Sequence, residues 1–152
     1  MSTKTEFTQR KDPFLNHRFR VEIDGIAQAN FCEVTIPDST SEVIEHREGT
    51  EAISNTQKQA GFVMYGNLVL KWGLTASIEL YNWRKMVEQG KISSVRKNLS
   101  VILIDEEGND AARWDFTSAW PSKYKAPDLN AKGNDIAIET LEITFESMQR
   151  VK

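Results

Sequence analysis

A chain of 152 residues is most simply one domain, and a domain of this size buries roughly 68–70% of the surface of its unfolded chain. Hydrophobic residues make up 39% and charged residues 27%, which is typical of a globular protein, and the net charge of −3 excludes the basic excess of a dedicated nucleic-acid binder. Cys32 is the only cysteine, which excludes an intrachain disulfide, and no apolar run approaches the ~18 residues of a membrane-spanning helix. Because no secretory signal is recognisable, we expect the chain to be made in the cytoplasm.

Two alternating stretches near the start predict a β-hairpin. Residues 17–23 alternate apolar and charged side chains, which is the pattern of a half-buried strand. Asp24-Gly25 is a strong signal for a two-residue turn, and residues 29–36 then alternate in the same way. Cys32 falls on the apolar face of this second stretch, so we expect it to be a small core residue.

Two segments show no hydrophobic periodicity and so no face that would pack on a core. Residues 1–12 are polar except for Phe7 and predict a terminal arm. Residues 48–60 contain Ile53 as their only large apolar side chain, and unstructured loops of ~12–15 residues are uncommon in compact domains. This segment is either a floppy surface loop or an arm that becomes ordered on a partner, and the residues alone leave both readings open.

The middle of the chain predicts strands around one helix. After a turn at 37–41, residues 42–47 form a weak strand pattern and residues 61–72 a stronger one. Residues 75–89 predict a helix, and Gly90 fits the position just beyond its end. The apolar residues of this helix recur at i, i+3 and i+7 and form one stripe: Leu80, Trp83 and Val87.

The C-terminal third predicts three further strands. Residues 95–104 include a continuous apolar run, and an acidic turn at 105–110 leads into a strand whose apolar face holds Ala112, Trp114 and Phe116. Residues 120–134 are rich in turn residues and their two prolines cannot donate to a ladder, so they predict a loop. In this loop Trp120 either plugs the end of the barrel or anchors an interface.

In the last predicted strand the apolar residues change from even-numbered to odd-numbered positions, a change of parity. Ile136 and Ile138 are followed by Leu141, Ile143 and Phe145, which predicts either a bulge near residue 140 or one strand that faces two environments. In total the sequence predicts about seven strands and one helix. That count favours a mainly β fold of the α+β class, a closed or nearly closed antiparallel β-barrel or sandwich with one helix packed on it.

Residues suited to catalysis are scarce. His17 and His46 are the only histidines, and the chain has none of the spacings that bind zinc or cradle a phosphate. The acidic turn at 105–110 places Gly108 at position 4, whereas an EF-hand loop needs glycine at position 6. We therefore expect no enzyme activity, no metal and no cofactor.

A small β protein without catalytic chemistry has two obvious uses. It holds a ligand inside a monomeric barrel, or it pairs its strand edges with copies of itself. If the rotation that relates neighbouring copies closes on itself, the copies form a ring. Rings that stack head to tail form a filament. The parity change near residue 140 favours assembly, because one long strand then meets two environments.

Several stretches occur in a recognisable order. The C-terminal ones are Ala-Arg-Trp-Asp-Phe at 112–116, Ala-Trp-Pro at 119–121, Pro-Asp-Leu-Asn-Ala at 127–131 and Gly-Asn-Asp-Ile-Ala-Ile-Glu-Thr-Leu-Glu at 133–142. Residues 12–14, 19–26, 42–49, 65–73, 80–83 and 96–101 add to the set, although Trp72 stands where relatives usually have arginine. Together they resemble the phage tail tube proteins of contractile tails and contractile injection systems. That family is related to the type VI secretion tube protein, the haemolysin-coregulated protein.

The resemblance implies a protomer that assembles six to a ring, with the strands of neighbours joined into one continuous β-barrel around the lumen. Rings stack helically into a rigid hollow tube inside a contractile sheath, with a baseplate and a tube terminator at its ends. The lumen carries a protein effector or DNA without specific nucleic-acid binding. Assembly takes place in the bacterial cytoplasm, and the particle is released. A tube-initiator or baseplate-adaptor ring is a close variant of this function, and a monomeric ligand-binding barrel is a more distant alternative.

The resemblance also implies which residues contact neighbouring subunits. The extended loop contributes Glu48, Gly49, Thr50, Glu51, Ala52, Ile53, Ser54, Asn55, Thr56, Gln57, Lys58 and Gln59. Phe7 in the terminal arm and Trp120 are further interface candidates.

Overall fold

The computed structural model describes residues 18–26, 30–46 and 57–152. The predictions for the arm at 1–12, for Phe7, for His17 and for residues 48–56 lie outside this range. The elements follow in chain order: β1 (Phe19–Ile23), β2 (Phe31–Thr35), β3 (Ser39–His46), β4 (Gln57–Tyr65), β5 (Leu68–Gly73), α1 (Glu79–Glu88), α2 (Ile92–Val95), β6 (Lys97–Ile104), β7 (Asp110–Lys125), β8 (Ile138–Thr144) and β9 (Ser147–Arg150). The fold is mainly antiparallel β with a helix packed on it, which confirms the predicted class.

Seven of the strands form one antiparallel sheet in the order β1-β6-β7-β8-β5-β2, and β9 pairs with β7. The sheet is not closed, since β1 and β2 stand at the two ends of this order. The first part of β7 pairs with β6 and β9, whereas its last part pairs with β8. The sheet therefore folds into two layers that share β7: β1, β6, β7 and β9 on one side, and β7, β8, β5 and β2 on the other.

The bend in β7 lies at Ser118, which has a φ of +52°. This is the left-handed region that non-glycine residues seldom adopt. Opposite the bend, β8 gives way to β9, and the Glu146 N–H donates to the Thr117 carbonyl at 3.0 Å. The 16-residue β7 and the β8–β9 segment paired with it therefore bend at the same place.

The core fills the space between the two layers. Its fully buried side chains come from both: Leu68, Leu70, Leu99, Phe116, Leu141 and Ile143. Helix α1 covers one end of this core with Leu80 and Trp83, as the apolar stripe predicted. The indole N–H of Trp83 donates to the Val95 carbonyl in α2 at 2.7 Å, and this bond ties the two helices together. The sequence did not predict α2, because its four residues follow Gly90 and Lys91 without a periodic pattern.

The predicted hairpin between the first two strands is wrong. Asp24-Gly25 does reverse the chain, with Gly25 at φ +73°, but the turn leads only to an isolated bridge between Ile23 and Ile26. Strand β1 pairs with β6 and strand β2 with β5. Burial decides the pairing, because β1 sets Val21 and Ile23 into the core opposite apolar residues of β6.

Cys32 is exposed, so its predicted place in the core is also wrong. The pairing of β2 with β5 shifts between Phe31 and Glu33, which moves Cys32 out of the inward alternation. Phe31 and Val34 supply the inward face instead, and the Cys32 thiol donates to the Lys71 carbonyl at 3.4 Å.

The loop predicted at 120–134 is wrong over its first six residues. Strand β7 continues to Lys125, with Trp120 opposite Thr144 and Pro121 opposite Ile143. A register shift between Pro121 and Lys123 accommodates the proline in the ladder. Further upstream, the turn at 37–41 is shorter than predicted because β3 begins at Ser39, and the strand predicted over 61–72 divides into β4 and β5.

The parity change in the last strand does not come from a bulge in β8, because the register of β8 with β5 is continuous. Ile136 precedes β8 and Ile138 is half-buried, while the buried residues Glu139, Leu141 and Ile143 share one parity. Both predicted explanations, a bulge and a strand that faces two environments, are therefore wrong, and the parity change gives no support to assembly.

We expect Ser118→Val to destabilise the fold and Ser118→Gly to leave its stability nearly unchanged. Serine and valine both carry a Cβ that this positive φ disfavours, but the second γ branch of valine restricts it further, at a cost of about 1 kcal/mol. Glycine removes the Cβ, and the greater freedom of the unfolded chain offsets that gain. Urea unfolding followed by tryptophan fluorescence measures both variants. Equal effects of valine and glycine would show that the bend does not depend on this φ angle.

Candidate functional site

Strands β3 and β4 form a hairpin of their own, separate from the seven-stranded sheet. All eight residues of β3 are exposed, so neither of its faces packs on the core. At the base of the hairpin the rings of Tyr65 and Phe145 lie 5.3 Å apart, and the Gly66 N–H donates to the Asp38 carbonyl at 3.0 Å. A two-stranded hairpin is marginally stable by itself in water, so this one needs further contacts to be held rigidly.

The hairpin exposes a cluster of large apolar side chains. Phe62 is 79% exposed and Met64 56%, although both belong to a regular strand. Phe62 and Met64 share one face of β4 and Val63 lies on the other, so the exposed apolar residues cover both faces of the hairpin. The full set, here called the hairpin patch, is Val43, Ile44, Phe62, Val63 and Met64. Apolar side chains clustered on the surface mark sites of interaction with other molecules.

Gly61 allows the two strands of the hairpin to approach closely. The pairing shifts between Ser41 and Val43, and Gly61 lies on β4 opposite this shift. A Cβ atom at position 61 would lie 3.1 Å from the Cβ of Glu42 and 3.1 Å from the Cδ1 of Ile44. The bulge that presents the hairpin patch therefore depends on a residue without a side chain.

The structure corrects the extent of the predicted extended loop. Gln57, Lys58 and Gln59 lie in β4, paired with His46, Glu45 and Ile44. Residues 57–60 had no strand signal because both faces of the hairpin are exposed, so no period-two pattern arises. Residues 48–56 of the predicted interface lie outside the described part of the chain.

Trp120 does not lie in a loop. It is part of β7, half-buried and packed against the core cluster. Sequence reasoning placed Phe62, Val63 and Met64 in a strand and did not name them as contact residues, whereas the structure shows them exposed on β4. The one available signal was the unbroken apolar run at 62–65, which does not alternate as a half-buried strand does.

Glu139 is the buried polar residue of the described core, with 4% exposure. Its carboxylate accepts a hydrogen bond from the Tyr124 hydroxyl at 2.7 Å, and the Tyr124 ring packs edge-on against Tyr81 of α1 at 5.3 Å. Burial, together with the bond to Glu139 and its negative charge, raises the pKa of Tyr124 to about 12. The pair thus satisfies a buried carboxylate and links β7 and β8 to the helix.

The outer face of the β1-β6-β7-β9 layer is polar. Asp115 accepts hydrogen bonds from the Ser100 hydroxyl at 2.7 Å and from Nε of Arg113 at 2.9 Å, and these two bonds lower the pKa of its carboxyl group. On β1, Arg20 bonds to Glu22 at 3.1 Å and to Asp110 at 3.4 Å. Two arginines, Arg20 and Arg113, are thus paired with three carboxylates on this half-exposed surface, where such ion pairs contribute little to stability.

Over the described residues, no group of three or more histidine, cysteine, aspartate or glutamate side chains is arranged to hold a metal ion. No helix among the same residues is long and apolar enough to cross a membrane. What the described chain offers is surface for contact: a hairpin with exposed apolar residues, and edge strands such as β1 and β2 that each pair with one described strand only.

These features define a β subunit built for assembly, and the family comparison agrees. Residues 15–149 match the model of the T4-like virus tail tube protein gp19 family, and the chain belongs to this family. It is a structural subunit of a tail-type tube. No curated protein matches the sequence.

Solved structures show the same fold. A chain of the anti-feeding prophage baseplate is 26% identical, with a TM-score of 0.78, and the match covers 93% of this chain and 97% of that one. A chain of the PVC sheath–tube complex in the extended state is 24% identical, with a TM-score of 0.77 and 98% of each chain covered. Hcp1 from Flavobacterium johnsoniae is 17% identical, with a TM-score of 0.51, and 88% of this chain and 94% of that one are covered.

We expect Tyr124→Phe to lower the free energy of unfolding at neutral pH by about 1–3 kcal/mol, because Glu139 loses its donor inside the core. The pKa of Tyr124 is raised above that of the unfolded chain, so its contribution is fully present below about pH 10 and is lost as the pH rises toward about 12. The difference between wild type and Tyr124→Phe should therefore shrink over this range.

Urea unfolding at a series of pH values measures this difference. Tyr81→Phe is the matched control, because Tyr81 is an exposed neighbour that does not bond to Glu139. The free energy of unfolding of Tyr81→Phe should fall at high pH nearly as much as that of the wild type. A constant gap between wild type and Tyr124→Phe from pH 8 to 12 would contradict the assignment.

Proposed function

We propose that this protein forms hexameric rings that stack helically into the rigid inner tube of a contractile injection machine. The observation that carries the proposal is the β3–β4 hairpin, which stands apart from the seven-stranded sheet and exposes five large apolar side chains on two paired strands. Such a surface is unfavourable in an isolated protomer and favourable in a polymer, because each copy covers the patch of another.

Two free sheet edges support the formation of rings. Strands β1 and β2 end the order of the described sheet, and each leaves one side of its backbone without a partner strand there. Unpaired edges accept strands from neighbouring chains, so joined edges around a ring would produce a continuous barrel that lines a lumen. The structure of the anti-feeding prophage baseplate, which contains a similar chain, is described as six-fold symmetrised, which supports six copies in each ring.

The partners we propose are those of the assemblies in which similar chains occur. These are a sheath–tube complex, a baseplate and a tube-terminating cap. The lumen carries a protein effector or DNA, and the particle is assembled in the cytoplasm and released. In such a machine the sheath supplies the free energy of the stroke, and the tube subunit contributes stiffness rather than an active site.

A second candidate is a ring that initiates the tube at the baseplate. The match to a chain of a baseplate assembly, over 97% of that chain, supports this candidate. Electron microscopy of the protein expressed with its sheath and baseplate proteins separates the two candidates. Hollow filaments indicate a tube subunit, isolated six-fold rings indicate an initiator, and single protomers under all conditions would overturn both.

We expect the double substitution Phe62→Asp and Met64→Asp to abolish filaments and leave the protomer folded. Both side chains are exposed, so the charges meet solvent in the protomer but would be buried in a contact between copies. Electron microscopy measures the filaments, and the thermal midpoint of the protomer measures folding.

Val151→Asp is the matched control for this experiment. It also replaces an exposed apolar residue with a carboxylate, but it lies beyond β9 and outside the hairpin. Filaments of wild-type length in the double variant would show that the hairpin patch does not mediate assembly.

A further inference from the structure

An apolar groove of about 290 Å³ lies between β1 and β2, the strands at the two ends of the sheet order. Phe19, Leu103 and Trp114 line one side of it, and they share the inward parity of the first layer. Val34 of β2 and Ile36, just beyond that strand, line the other side. All five side chains are partly exposed. The groove is therefore the open side of the core, where the second layer does not cover the first.

Burial of inward-facing apolar side chains is favourable, so the groove is a site that an apolar group would fill. Three kinds of occupant fit its chemistry: a separate apolar ligand, a second copy of the protein, or another segment of this chain. The position of the groove relative to the ends of the described segments distinguishes between them.

Three stretches of the chain lie outside the described residues, and two of them are poorly suited to the groove. Residues 27–29 are Ala-Gln-Ala and contain no large apolar side chain. Residues 47–56 begin beyond the far end of β3, which carries the chain about 24 Å from Ser39 at ~3.4 Å per residue. Their one large apolar side chain is Ile53. The remaining stretch, residues 1–17, ends directly beside the groove.

A backbone hydrogen bond fixes the point at which residues 1–17 join the fold. The Arg18 carbonyl accepts a hydrogen bond from the Ile104 N–H at 3.0 Å, so the chain enters the ladder one residue before Phe19. Phe14 and Leu15 are the large apolar residues nearest to this point in the preceding sequence. An extended chain spans at most ~3.6 Å per residue, so Leu15 lies within roughly 14 Å of Phe19.

The residues between this apolar pair and the sheet suit a reversal of the chain. Ile104 is the last residue of β6, so a straight continuation of β1 beyond Arg18 would leave the sheet. Asn16 is of a residue type that favours turns, which would direct the pair back over the groove. A tether this short gives an effective concentration in the mM range, so the chain's own segment competes well against a second copy.

We propose that Phe14 and Leu15 pack into the groove between β1 and β2 of their own chain, against Phe19, Ile36 and Trp114. The pair closes the open side of the core, so the groove is part of the fold and not a pocket for a separate apolar ligand. The inference is independent of the tube function, because it concerns the single protomer.

Substitution of the pair in the full-length chain tests the inference. Phe14→Ser together with Leu15→Ser should lower the thermal midpoint by roughly 5–10 °C, because the groove loses its apolar cover. The conservative variant with Phe14→Leu and Leu15→Met should stay within about 2 °C of the wild type. Phe7→Ser is the matched control, since it removes an aromatic side chain from the same stretch but outside the pair, and its midpoint should not change.

A double-mutant cycle tests where the pair binds. If Phe14 packs against Ile36, the shift of the urea midpoint in the variant with Phe14→Ala and Ile36→Ala should fall clearly short of the sum of the two single shifts. Val87→Ala is the control for the cycle, because Val87 packs on the core from α1 and does not line the groove. Its shift should add to that of Phe14→Ala.

Three results would overturn the inference. The first is a wild-type midpoint in the variant with Phe14→Ser and Leu15→Ser, and the second is strict additivity of Phe14→Ala with Ile36→Ala. The third is a difference between the wild type and the serine variant that disappears on dilution, which would show that the pair occupies the groove of a second copy. A difference that is the same at all protein concentrations supports docking within one chain.

Discussion

The burial of apolar side chains between two β layers that share β7 is the constraint on which the rest of the structure depends. The layers meet because β7 bends at Ser118 and the β8–β9 segment bends with it, which brings Phe116, Leu141 and Ile143 into one core. Helix α1 covers an end of this core and is fixed to it by the Tyr81–Tyr124–Glu139 contacts. The core is complete without the hairpin, so the hairpin is free to expose apolar residues.

The elements that bury a single face on the core were predictable from the sequence. Elements whose two faces do not differ in burial, or whose pairing depends on distant residues, were not. Alternation located β1 and the first part of β7, and the i, i+3, i+7 stripe located α1, because each packs a single face on the core. The pairing of β1 with β6 was not predictable from a local turn signal, since burial of Val21 and Ile23 across some 80 residues of chain decides it. Pro121 ended the predicted strand because the sequence does not reveal the register shift that accommodates it.

The candidate site was the part least open to sequence reasoning, and the reason is physical. Both faces of the hairpin meet solvent, so there is no contrast between a solvent face and a core face. The sequences of β3 and β4 therefore show no alternation of polar and apolar residues. Without that contrast, an apolar run such as 62–65 is indistinguishable from a strand buried on both faces. The resemblance to tail tube proteins predicts contacts with neighbouring subunits at residues 48–59, and only the structure shows that exposed apolar side chains lie next to this segment, on paired strands.

The division between a closed core and an open hairpin also determines what holds a stack of such subunits together. Half-exposed ion pairs such as Arg113–Asp115 and Arg20–Glu22 contribute little to stability, about 0–1 kcal/mol each, and they are screened by salt. If a contact between copies covered Phe62 and Met64, as proposed, their burial would contribute roughly 25 cal/mol for each Å² of apolar surface and would not be screened by salt. Apolar burial would therefore contribute more than surface charge to a contact made through the hairpin.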